Sequence, residues 1–155
     1  MDSYIGIEMV QAKPCKAWVP VDGYKQGEPG YSVIYPNGYS KWSPKDIFEK
    51  TYLKVTNNPH MKTSAPSISQ EMVDDFIAHT EVITMGDKNT VVRAVLKNGF
   101  EIVESSACVS AENYDEAYGA KICMEKIKDK VWILLGFLLQ TAIHGITYNE
   151  SNQRE

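Results

Sequence analysis

The spacing of apolar and polar positions changes several times along the chain, and the changes mark its elements. Glu81 to Met85, Thr90 to Lys97 and Phe100 to Ser105 are short runs rich in β-branched residues, separated by Gly86-Asp87 and Asn98-Gly99. Branched side chains suit a pleated surface and Asn-Gly suits a tight turn, so these residues predict an antiparallel meander. A two-residue turn at Asn98-Gly99 sets Lys97 opposite Phe100, Val95 opposite Ile102 and Arg93 opposite Glu104 on one face. Val92, Ala94, Leu96 and Val103 then take the other face, which is the more apolar and the expected bed for a helix.

Helical spacing flanks the meander. Ser67 with Gln70 reads as a capping box, opening a helix through Ile68, Met72, Phe76 and His79 that ends near Thr80. After the loop Ser106 to Glu112, Asn113 and Glu116 form an N-cap and a variant capping box, starting a long helix through Tyr118, Ile122 and Ile127 to about Thr141. From Val131 to Leu139 this helix is almost wholly apolar, so it cannot present an ordinary polar face to water. Nine residues are too few to cross a membrane, which leaves core packing together with subunit contact. A homo-oligomer, at least a dimer, is the expectation.

The stretch from Tyr4 to Leu53 is rich in Gly, Pro and Tyr. Gly30 to Tyr39 reads as a short strand, an Asn37-Gly38 turn and a return strand. Ser43 as N-cap and Pro44 at the first helical position predict a short helix to about Leu53, with Ile47, Phe48 and Tyr52 along one side. Residues 54–66 carry Asn57-Asn58-Pro59 and few apolar groups, the pattern of a linker. The expected organisation is an α+β chain: a small β-plus-helix module over 1–53, a linker over 54–66, a meander with a long helix over 67–145, and a polar tail over 146–155.

Composition narrows the partners. The chain has 155 residues, 43% apolar and 23% charged, enough to bury one core. Its formal charge of -4 argues against broad adhesion to DNA or RNA, which relies on many Lys and Arg contacts to phosphates. Cys15, Cys108 and Cys123 show neither zinc-ligand spacing nor a disulfide pattern, and a reducing cytoplasm is the simplest home for them. No basic-plus-apolar leader opens the sequence, and no run reaches the length of a membrane span, so neither secretion nor insertion is expected.

The motifs of catalysis lack recognisable spacing here: no nucleophile beside a base, paired carboxylates, metal cluster or Gly-rich phosphate loop. His60, His79 and His144 share no local pattern, and Cys123 reads as core. Cys108 lies just before a helix start, where a thiolate would be favoured, although a small buried hydrophobe is the plainer reading. The informative stretch is Glu104 to Asn113, joining a strand end to a capped helix and offering hydroxyls and unpaired N–H groups to an anion. Phe100 offers a face for base stacking and Arg93 a fork for phosphate. The competing structural reading makes Phe100 core, pairs Arg93 with Glu104 and lets Ser105 and Ser106 satisfy their own loop.

Val91 to Val109, followed by Ala111-Glu112-Asn113-Tyr114-Asp115, Gly119 to Cys123, Trp132 and Gly136 to Gln140, resembles a family of small phage proteins that includes the first-described Thoeris anti-defence sponge. The resemblance spans Val82 to Gln140. Gly30 to Pro36 and Trp42-Ser43-Pro44 also resemble an N-terminal module found ahead of other small phage proteins. The first resemblance implies a non-enzymatic protein without a cofactor, working in the host bacterial cytoplasm. It would capture cyclic nucleotide immune signals such as cyclic ADP-ribose isomers, with cyclic oligonucleotides as a further class. On that reading the ligand meets Arg93, Phe100, Glu104, Ser105, Ser106 and Asn113. Lys121, Lys97 or a second subunit would supply further positive charge, and Glu104 would turn from phosphate or accept from a ribose hydroxyl. The reading from a different class is a protein-interaction module that blocks a host defence protein directly, and a signal-degrading enzyme ranks below both.

Overall fold

A computed structural model describes residues 1–147. The chain forms two compact units, one containing Met1–Lys54 and the other Val55–Leu139.

The N-terminal unit is a three-stranded antiparallel sheet, β1 (Gln11–Lys16), β2 (Pro29–Ile34) and β3 (Ser40–Pro44), in the order β1-β2-β3, followed by α1 (Lys45–Thr51). β1 contains Pro14, which breaks the alternation expected of a strand; it is tolerated because β1 is an edge. The hairpin turns at Pro36-Asn37-Gly38, with Gly38 at φ +82° and its N–H donating to the Tyr35 carbonyl at 2.9 Å. Ser43 does not cap α1. It is buried within β3, which continues through Pro44, and the helix starts at Lys45 without a side-chain cap. Tyr31 stacks on Phe48 with ring centroids 4.2 Å apart, and its hydroxyl donates to Glu49 at 2.8 Å.

The second unit begins with α2 (Gln70–Phe76) and continues as the meander β4 (Ile77–Met85), β5 (Asn89–Leu96) and β6 (Glu101–Ala107), in the order β4-β5-β6. Two expectations about α2 are corrected. Its N-cap is Ser69, whose hydroxyl accepts from the Met72 N–H at 3.2 Å, whereas Ser67 accepts from the Asn58 N–H at 2.9 Å. It also stops at Phe76 and passes directly into β4, so His79 is a strand residue. Tertiary pairing decides this: the Lys97 N–H donates to the Phe76 carbonyl, and Ile77 pairs with Leu96.

The long helix α3 (Glu116–His144) follows a 3-10 turn at Ala111–Asn113. Asp115, rather than Asn113, caps it: its carboxylate accepts from the Tyr118 N–H at 2.9 Å. One stripe of α3, Cys123, Ile127, Val131 and Leu135, is buried against Val92, Ala94, Leu96 and Ile102 of the sheet and Met72 and Val73 of α2. Among the described residues, the apolar half of α3 buries Val131 and Leu135 and leaves Ile133 71% exposed.

Candidate functional site

The placement of every candidate side chain follows from the β5–β6 turn. The loop holds three residues, Lys97, Asn98 and Gly99. The Gly99 N–H donates to the Leu96 carbonyl, the Leu96 N–H donates to the Phe100 carbonyl, and Gly99 sits at φ +83°. Asn98 fixes the turn by accepting from the Phe100 N–H at 3.0 Å. The extra residue shifts the register by one from a two-residue turn: Arg93 pairs with Val103, Ala94 with Ile102 and Val95 with Glu101. Ile102 therefore occupies the helix-facing side, and Val103 is 56% exposed.

The shift separates residues that a two-residue turn would group. Along β5 the even positions from Thr90 to Leu96 are buried and the odd positions, Arg93 included, face away from α3. Glu104 is on the helix-facing side, where its partner is Lys130 of α3. Arg93 instead lies between Glu81 and Glu101, donating to each at 3.0 Å, with His79 at 3.5 Å from Glu81. Hydrogen bonding to Arg93 holds both carboxyls below their ordinary value, and the carboxylates, Glu101 before Glu81, push the guanidinium further up.

Phe100 is 56% exposed at the hairpin tip, and Lys97 in the same turn is exposed and makes no ion pair among the described residues. Ser105 and Ser106 lie at the far end of β6, a strand length of about 20 Å from the tip. There the structure does gather several candidates. The Ser106 hydroxyl donates to the Gly119 carbonyl at 3.1 Å, and Lys126 donates to the Ser105 carbonyl at 2.9 Å. The Asn113 carbonyl accepts from the Cys108 thiol, and Lys121 is exposed on the first turns of α3.

The same end holds groups that sequence reading passed over. The Tyr114 hydroxyl is 2.7 Å from Thr84 Oγ1 and 3.0 Å from Thr90 Oγ1, and Thr84 also donates to Glu116. Gly119 is the residue that lets helix and sheet meet, because a Cβ there would lie 2.8 Å from the Thr90 Cβ. A glycine inside a helix costs roughly 1 kcal/mol relative to alanine, and that cost was the available signal of a close approach. Two open concavities, of about 400 and 450 Å³, are lined one by residues of β1, β2 and α1 such as Cys15, Tyr31 and Glu49 and the other by residues such as His60, Met61 and Pro66, and neither includes any of the seven candidate residues.

Residues 68–143 match the model of the phage protein (N4 Gp49/phage Sf6 gene 66) family. Comparison with curated proteins and with solved structures gives no match.

Proposed function

Taking residues 68–143 as a segment of that phage protein family, we propose that the protein is a phage counter-defence factor that binds and sequesters cyclic nucleotide immune signals without degrading them. Cyclic ADP-ribose isomers are the first candidates, and cyclic oligonucleotides the second. The observation that carries the reading is the hairpin tip, which exposes both Phe100 and Lys97, the latter with no ion pair among the described residues. An aromatic face accepts a base and an ammonium accepts a phosphate, and together they suit a nucleotide.

Arg93 supports the strand beneath rather than meeting phosphate directly, because an incoming anion would have to displace two carboxylates already on its fork. Ser105, Ser106, Asn113 and Lys121 are a strand length from Phe100, so on this reading they meet a ligand held by the tip of a second subunit. The exposed apolar flank of α3 is the surface that would bring that subunit close. The test is to incubate purified protein with each signal, remove free ligand, then heat the protein and assay the supernatant. Signal that vanishes on mixing and returns intact on heating supports sequestration. Chemically altered signal would make the protein an enzyme, and signal left free throughout would favour the protein-interaction reading.

A further inference from the structure

We infer that β4 is a pairing edge whose occupant is β4 of a second copy of this chain, antiparallel, with a two-fold axis at Val82. The starting observation is a contrast among strand edges. β1 carries Lys13, Pro14 and Lys16, and β3 carries Lys41 and ends in Pro44; proline and lysine are the usual guards against unwanted strand addition. At β6, the Lys126 ammonium already occupies a strand carbonyl. β4 is nine residues long and contains no Pro, Lys or Arg. Every residue from Ala78 to Met85 is exposed, with Val82 at 43%, Ile83 at 54% and Met85 at 57%. Among the described residues no strand lies outside it.

The sequence of β4 indicates its own copy as the occupant. Its one irregularity is the register shift between Ile77 and His79, so the regular stretch is His79 to Met85, and Val82 is its centre. A two-fold axis there pairs Val82 with Val82 of the second copy and Thr80 with Thr84 on one face. On the other face Glu81 meets Ile83 and His79 meets Met85. All seven residues pair, and no like charges are opposed. An axis one residue earlier would set Glu81 against Glu81, which is unfavourable. The pairing joins two meanders into one six-stranded sheet, and it does not depend on the nucleotide reading above.

Val82→Glu and Val82→Lys each place like charges on the axis, while an equimolar mixture places opposite charges there. Sedimentation of the full chain at micromolar concentration should show the wild type paired and each variant weakened about tenfold or more, with pairing restored on mixing. Circular dichroism checks that the variants fold, and the mixture separates a broken interface from a broken fold. A wild type that is monomeric, variants that pair as the wild type does, or a mixture that stays apart would each overturn the inference.

Discussion

Arg93 and Phe100 illustrate how one residue in a turn redistributes chemistry. With the three-residue loop, the Phe100 carbonyl accepts from the Leu96 N–H and its own N–H donates to the Asn98 side chain, while its ring stays in solvent. Phe100→Ala should therefore leave the melting temperature unchanged and, on the proposed function, weaken nucleotide binding by roughly tenfold or more in calorimetry, the loss of one stacked base. Arg93 is a matter of pH. Both of its carboxylate partners titrate lower in the folded chain than in the unfolded one. Their contribution to stability is thus present above the ordinary value of 4.5 and is lost as pH falls through the lower folded values. Urea titrations from pH 6 downward should show a smaller acid loss in Arg93→Met than in the wild type. Equal slopes would mean that the pair contributes nothing.

At the scale of elements, the meander, its apolar bed and the long helix are legible in the sequence because alternation and helical spacing persist over many residues. What escapes is set by single positions. Lys97-Asn98-Gly99 suits a two- or a three-residue loop equally well, since both place Gly at a left-handed position. Pro14 hides β1. Ser67 and Ser69, or Asn113 and Asp115, are both plausible caps, and only the path of the preceding chain selects between them. The candidate site was legible as a set of residue types and not as a constellation, because its grouping rested on the turn. The two glycines of α3 allow a paired test. Gly119→Ala forces a Cβ onto buried Thr90 and should lower stability by about 1–2 kcal/mol despite better helix propensity. At Gly136 a Cβ meets nothing within 4 Å, so Gly136→Ala should stabilise by up to about 1 kcal/mol. Urea midpoints of the two variants should move in opposite directions.

For the molecule as a whole, the apolar half of α3 has a packed side and an exposed side that the proposed assembly would use, and two neighbours on it separate these roles. Trp132 is half-buried against the core of the second unit, whereas Ile133 is 71% exposed. Trp132→Ala should lower the thermal midpoint, costing up to about 3 kcal/mol. Ile133→Glu should leave the midpoint of the separated chain unchanged and shift the sedimenting species to smaller mass. An Ile133→Glu variant that sediments as the wild type does would remove α3 from the assembly surface.

The order β4-β5-β6 has a consequence in time as well as in space. Each strand pairs with its neighbour in sequence across a loop of three residues, with Gly86 and Gly99 already suited to the left-handed position each turn requires. Closing so short a loop gives up little chain entropy, and local pairing of this kind is associated with rapid folding. The meander can zip from its two turns while α3 is still being synthesised on the ribosome. The helix then arrives at an assembled apolar face, and Gly119 fixes where along that face it docks.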